Sequence, residues 1–330
     1  MGSLRGGEGN DISSVRADPT KWSTGLGSLK LQKPDWVYSG GEVRPWEEAV
    51  LHVGTEAVVR GLNVFEGLKG YWQEDGRFGF VHLKRHYARL QRSASLLSIP
   101  VAFSYEEFER ACCALTRALY RPEKDLYVRA TLFVTEGHWG ANTVADLVLT
   151  GYQQEKEAPA LITMGVSTWR RAPDVAMPAR IKTGSNYQVA RLARIEGRSR
   201  GYEDMILLNE YGRVAESTVA CVLLVRDGCV CTPLPSEGAM ESITADVLSE
   251  ITAGLGIEFV RRPIDRTELY VADELGLTGT LTEITLVGSL DDRPLPEETP
   301  ILSSLLKRYR DAVTGVEAHH AVELAMVPPG

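Results

Sequence analysis

Residues 180–189 read RIKTGSNYQV and set Lys182 between an expected buried strand and an expected helix, followed at once by a small-residue turn and an aromatic hydroxyl, Tyr187. A lone lysine in a loop is ordinarily solvated, so its meaning depends on its surroundings. Before it, 161–166 is an apolar run read as a strand; after it, 187–200 has helical spacing and stops at Gly201. A strand on one side and a helix on the other point to a mixed α/β fold.

The rest of the chain repeats that mixture. Order is expected from about Trp36, where 36–38 and Val43 flank the turn Ser39-Gly40-Gly41-Glu42 and read as a hairpin. Leu83, Tyr87, Leu90, Ala94 and Leu97 fall on one helical stripe over 83–97, and a second amphipathic helix is expected over 105–119. Residues 126–135 and 145–152 read as strands. The polar run 153–159, closed by Pro159, is the best linker. Beyond it, 205–209, 219–225 and 228–232 read as strands joined at Glu210-Tyr211-Gly212 and Arg226-Asp227-Gly228. Helical spacing returns at Val247, Leu248, Ile251 and Leu255.

A chain of 330 residues is longer than the usual single domain, so two domains of about 150 residues each are expected. The expected organisation is a loosely ordered arm over 1–33, a small α/β domain over 34–152, a linker over 153–160 and a larger α/β domain over 161–330. A net charge of -8 argues against nucleic acid or an anionic membrane as partner. Lys84-Arg85 and Arg170-Arg171 can still serve an anionic ligand. No apolar run approaches the ~18 residues of a membrane span and no signal-peptide core is present, so a cytoplasmic protein is expected. The five cysteines, Cys112-Cys113, Cys229 and Cys231 among them, have neither disulfide-framework nor zinc spacing and read as buried thiols. His82 and His86 lack a third ligand, so no metal is expected.

A lysine that carries chemistry usually acts as an amine nucleophile forming a Schiff base, most often with pyridoxal phosphate. That cofactor needs anion-binding groups for its phosphate, a carboxylate facing its pyridine nitrogen and a donor for its phenolic oxygen. ESITADVL puts Ser242, Ile243 and Thr244 at the start of a helix, although Thr244 taken alone reads first as an ordinary helix cap. GRVAESTVACVLLV puts Glu216 before an apolar strand, where an unpaired carboxylate is costly; its plain alternative is a solvated hairpin residue. TGTLTEI puts Thr280 and Thr282 in a loop that could be a simple turn.

In order and spacing these segments, with WVYSGGEVRPWEEAVLHV, GLNVFEGLKGYW, HLKRHYARLQRSA, LYVRATLFV and GYEDMILLNEYGRVAES, resemble the class IV aminotransferases of pyridoxal-phosphate fold type IV, and among them the branched-chain amino acid aminotransferases. The resemblance covers about residues 36–313. It implies a two-domain α/β fold with the cofactor in the cleft between domains, and a homodimer whose partner subunit completes the pocket. It implies ping-pong transfer of an amino group from an L-amino acid to a 2-oxo acid such as 2-oxoglutarate.

Position by position, the resemblance makes Lys182 the cofactor-anchoring lysine, Tyr187 the partner of the phenolic oxygen and Glu216 the carboxylate at the pyridine nitrogen. Arg89, which the helical pattern alone assigns to a polar face, becomes a phosphate ligand, with Ser242, Ile243, Thr244 and Thr280. Backbone N–H groups of Thr280 and Leu281 would receive the substrate carboxylate, and Phe65, Gly67, Tyr127 and Arg129 would line the substrate pocket. Four positions depart from the family's pattern. Arg60 stands where an aromatic residue is common, Lys69 for an arginine, Cys221 for an asparagine and Ser242 for a glycine. Arg60 either enters the pocket, favouring a polar or anionic donor, or turns away to pair with Glu56. A D-amino acid or (R)-amine aminotransferase, a lyase of the same fold and a non-catalytic scaffold are the alternatives.

Overall fold

Gly40 and Gly41 both take left-handed backbones, φ 61° and 87°, which is the two-residue turn that closes an antiparallel hairpin without splaying its strands. This hairpin opens the described structure, a computed structural model of residues 33–155 and 160–328. It consists of β1 (Trp36–Ser39) and β2 (Glu42–Pro45), followed by the single-turn α1 (Glu56–Val59). Next come β3 (Asn63–Trp72), β4 (Phe78–Val81), α2 (Leu83–Leu96), α3 (Tyr105–Leu119), and the long β5 (Asp125–His138) and β6 (Ala141–Gln154). The second half runs β7 (Leu161–Arg170), α4 (Tyr187–Ser199), β8 (Asp204–Leu208), β9 (Val214–Ser217), β10 (Cys221–Arg226) and β11 (Cys229–Thr232). It continues through α5 (Ile243–Gly254), β12 (Phe259–Arg261), β13 (Glu274–Gly279), β14 (Glu283–Leu290), β15 (Arg293–Pro294), α6 (Pro300–Thr314) and β16 (Leu324–Met326).

Among the described residues the strands form two sheets. Seven lie in the order β16-β4-β3-β5-β6-β1-β2, and nine in the order β12-β11-β10-β13-β14-β7-β8-β9 with β15 on β14. The first sheet is antiparallel throughout, as hairpin connections require. Parallel pairs occur only in the second, at β7–β8, β7–β14 and β11–β12. The two helices expected near 83–97 and 105–119 are α2 and α3. Ser104 and Glu107 close a reciprocal capping box at the start of α3, worth about 1 kcal/mol. Leu83, Leu90 and Ala94 of α2 and Phe108, Cys112 and Leu115 of α3 join one core, with α2 laid on β3 and α3 on β6 and β1. The cysteines are all free and mostly buried.

Three features depart from the sequence reading. The strands expected at 126–135 and 145–152 extend to 14 residues each, so Gln153 and Gln154 end β6 rather than begin a linker. Residues 156–159 of that expected linker, and 1–32 of the expected arm, lie outside the described residues. The third departure is β16, which carries the C-terminal segment back to β4 in the first sheet, with Ala325 opposite Phe80. Tyr71 and Val81 of the first half share a core with Val247, Leu302, Leu306 and Val313 of the second. No helix among the described residues is long and apolar enough to cross a membrane.

Candidate active site

A cleft of about 1330 Å³ lies where the two sheets meet, and Lys182 faces it. The backbone of this lysine is gripped from both neighbours. Its N–H donates to Ser93 Oγ of α2 at 3.1 Å, and its carbonyl accepts from the N–H of Phe65 in β3 at 2.8 Å. The loop is closed from within by Asn186, whose buried amide donates to the carbonyls of Pro178 (2.9 Å) and Ile181 (2.8 Å). Gly184 and Ser185 begin the short 3₁₀ turn that follows. That turn brings Tyr187 round so that Lys182 Nζ donates to its hydroxyl at 2.8 Å. The Tyr187 ring packs against Phe65, centroids 5.2 Å apart, and Lys182 Nζ lies 5.0 Å from the Phe65 ring centre.

Glu216 also lines the cleft. It lies within β9, a short buried strand, and ahead of the apolar strand β10 as the sequence pattern has it. Its burial is satisfied on both oxygens. Arg171 Nε sits 3.2 Å from Oε1, and the Met240 N–H donates to Oε2 at 3.0 Å. Arg171 is itself anchored to the Asn186 carbonyl at 3.2 Å, which ties the carboxylate's mount to the lysine's loop.

Arg89 is buried, contrary to the polar-face assignment its helical position suggests. Nε and Nη2 donate to the two oxygens of Glu66, each at 2.7 Å, and Nη1 donates to the Glu241 carbonyl at 2.6 Å. His86 completes the group with Nδ1 2.8 Å from Glu66 Oε2. Burial alone would raise the carboxyl's pKa, but the Arg89 guanidinium overrides it and holds Glu66 at about 2. Burial also lowers the pKa of His86, in spite of the carboxylate beside it. Glu66, Asn186 and Ser93 were not singled out from the sequence, and Arg171 was read only as half of a basic pair for an anionic ligand, whereas it serves the Glu216 carboxylate. A glutamate between Phe65 and Gly67 in an apolar strand was the available signal, because a buried carboxylate must find a cation.

At the far side, Ser242 caps α5 by accepting from the Ala245 N–H at 3.2 Å and lines the cleft. Ile243 lines a smaller cavity behind it. Thr244 is buried with its hydroxyl against Tyr309; neither residue is on the main cleft wall. Thr280 and Leu281 are on that wall. Cys221 is buried beside them, its thiol pushed up to about 12 by burial and then by Glu216, so it stays neutral.

The β alternation of β3 presents Phe65, Gly67, Lys69 and Tyr71 to the cleft. Gly67 is required there: a Cβ would meet the Tyr127 hydroxyl at 2.8 Å. Tyr127 is pushed up to about 12, chiefly by burial. The Arg129 guanidinium lies 3.7 Å from the Phe65 ring centre. Of the residues expected to line the substrate pocket, Arg60 is the one that is off the cleft wall. It caps α1 from outside the cleft wall, pairs with Glu56 at 2.5 Å, and stacks over Trp139 at 4.9 Å.

This donor set fits pyridoxal phosphate. A lysine amine bonded to a phenol, a fully satisfied buried carboxylate, and an arginine beside a helix start meet its three demands in one cleft. Comparisons with known proteins agree. The family model "Amino-transferase class IV" matches residues 63–290. The branched-chain-amino-acid aminotransferase of Escherichia coli strain K12 is 33% identical over 272 residues, covering 80% of this chain and 87% of its own. The crystal structure of the branched-chain aminotransferase from Thermoproteus uzoniensis with norvaline superposes with a TM-score of 0.84 at 31% identity, covering 89% of this chain and 99% of that one. The Thermobaculum terrenum enzyme in its PLP form gives 0.83 at 32%, covering 90% and 99%. The chain belongs to the class IV aminotransferases, and its cofactor is pyridoxal 5'-phosphate.

Proposed function

We propose that this aminotransferase takes the amino group of L-branched-chain amino acids and passes it to a 2-oxo acid such as 2-oxoglutarate, in the cytoplasm and as a homodimer. The observation that carries the substrate reading is the Phe65 ring, 5.0 Å from Lys182 Nζ and under the Arg129 guanidinium. An apolar wall next to the reactive amine suits an aliphatic side chain. The nearby guanidinium suits the second carboxylate of a dicarboxylic acceptor. The names of the relatives, branched-chain enzymes in Escherichia coli and Thermoproteus uzoniensis, support the same choice.

When bound, pyridoxal phosphate supplies the carbonyl that takes up the amino group and the electron sink for the bond broken at the substrate α-carbon. Around it, the chain's residues hold and move protons. Lys182 anchors the group, and its amine, once released, carries the proton away from and back to the substrate α-carbon. The Tyr187 hydroxyl steadies that amine and donates toward the phenolic oxygen. Glu216, held in place by Arg171 and the Met240 N–H, faces the pyridine nitrogen and holds the proton there. Arg89, pre-set by Glu66, binds the phosphate with Ser242 and with Thr280 of the β13–β14 turn, and Ile243 and Thr244 contribute through the N–H groups that open α5. Backbone N–H groups of Thr280 and Leu281 receive the substrate carboxylate.

The test is a donor panel with 2-oxoglutarate as acceptor, in which both enantiomers are assayed. L-leucine, L-isoleucine and L-valine are expected to give glutamate, with kcat/KM at least about tenfold above their D-forms and above (R)-amines. A preference for D-donors, or β-elimination without glutamate formation, would replace this reading with one of its fold-mates.

A further inference from the structure

Thr280, Leu281 and Thr282 close the β13–β14 hairpin, and the next residue, Glu283, takes a left-handed backbone, φ 53°. A glutamate persists in that region only where its surroundings hold it. Within the same turn Thr282 Oγ1 is buried without a hydrogen-bond partner. A turn with a left-handed glutamate and an orphaned hydroxyl is not fixed by its own local preferences.

What fixes it is the Glu283 side chain. One oxygen accepts from Lys69 Nζ at 2.6 Å and from the Tyr71 hydroxyl at 3.0 Å. The other accepts from Arg310 Nε at 2.7 Å. The Thr278 hydroxyl donates to the Glu283 carbonyl at 2.8 Å. Strand β3, helix α6 and strand β13 therefore converge on one residue. Glu283, Lys69 and Tyr71 are buried, so water competes little and the charge-assisted bonds are strong. Two cations share one carboxylate, and Lys69, Arg310 and the turn itself all line the cleft. The surplus positive charge faces the same space as the turn.

We propose that Glu283, clamped by Lys69 and Arg310, is the positioning residue that fixes the substrate-receiving turn, and that the surplus charge of the clamp draws the carboxylate of amino acid and 2-oxo acid alike into it. The inference rests on the reading of Thr280 and Leu281 as the receivers of that carboxylate. It accounts for a lysine at position 69, since the task there is to grip Glu283 and a single ammonium can do so.

The experiment compares the holoenzyme with Glu283→Gln, Lys69→Met, Lys69→Arg and Arg310→Ala by steady-state kinetics and by the absorption spectrum of the bound cofactor. Glu283→Gln and Lys69→Met are expected to raise KM for donor and acceptor by about tenfold, with kcat changed by less than about threefold. The cofactor spectrum and affinity should be unchanged. Lys69→Arg, which preserves the pair, should raise KM less than Lys69→Met. Arg310→Ala, at a partly exposed position, should raise it by about threefold. A merely structural role would lower the active fraction, and so kcat, without moving KM. Unchanged KM in Glu283→Gln and Lys69→Met overturns the proposal, as does loss of kcat or of cofactor affinity alone. Should Glu283→Gln fail to fold, Lys69→Met and Arg310→Ala carry the same comparison. The ratios are taken on whichever α-amino acid the wild type uses. A failure of the branched-chain reading thus leaves them readable, and unchanged ratios with leucine still active count against the clamp alone.

Discussion

Lys182 is positioned by its backbone as much as by its side chain: Ser93 and Phe65 fix the peptide on either side, and Asn186 closes the loop. Lys182→Ala is expected to abolish turnover, because Lys182 is the amine bonded to Tyr187, while the other described lysines on the cleft wall, Lys33 and Lys69, are tied to Glu47 and Glu283. Borohydride treatment of the wild type should join the cofactor to the peptide containing Lys182, and a label on any other lysine would overturn the assignment. The lysine and the tyrosine five residues later were legible in the sequence, because the turn joining them is local. Asn186 and Ser93 were not. Ser93 accepts from the Lys182 N–H across 89 residues of chain, and Asn186 donates to carbonyls eight and five residues back in an irregular loop; neither residue type announces such a role.

At the scale of elements, the helical stripes of α2 and α3 and most strands could be read from periodicity, since one face of each is packed and the other solvated. Arg89 and Glu66 could not be paired that way. Helical arithmetic assigns an arginine to the wet face, and its partner lies 23 residues away on β3. Nor could β16 be read, being three residues long and without a pattern of its own. The β3–α2 seam makes a prediction of its own. Glu66 is held at about 2 against an ordinary 4.5, so its contribution to stability is fully present above about pH 5 and is lost as pH falls toward 2. At about 1.4 kcal/mol per unit this is on the order of 3 kcal/mol. His86, kept neutral below its ordinary 6.5 by burial, adds a loss of the same sign from about pH 6.5 downward, because the unfolded chain then binds a proton that the folded chain refuses. Urea midpoints measured from pH 7 to pH 3 should fall more steeply for the wild type than for Glu66→Gln, which begins less stable at pH 7. Parallel curves would assign the acid sensitivity to other carboxylates.

At the scale of the whole molecule, the two sheets enclose the cleft but leave an apolar surface uncovered beside it. Trp139 at the β5–β6 tip is 80% exposed, Val50 84% and Val53 75%, with Val58, Val59 and Val144 also exposed. Arg60 stacks on Trp139 in this patch. Such a surface suits the interface of the homodimer proposed above, and on that reading Trp139→Asp is expected to shift the protein toward monomer in sedimentation and to lower activity. Arg60 could reach a cleft only across that interface, since it is absent from the wall of its own. Its guanidinium is already paired with Glu56 at 2.5 Å, so it brings little unbalanced charge to a neighbouring pocket, and a neutralised ion pair does not select for anionic donors. Arg60→Tyr is therefore expected to preserve the ranking of leucine, glutamate and larger polar donors, with each kcat/KM within about threefold of the wild type. A rise of leucine relative to the polar donors would show instead that Arg60 leaves Glu56 in the assembled enzyme and sets specificity from across the interface.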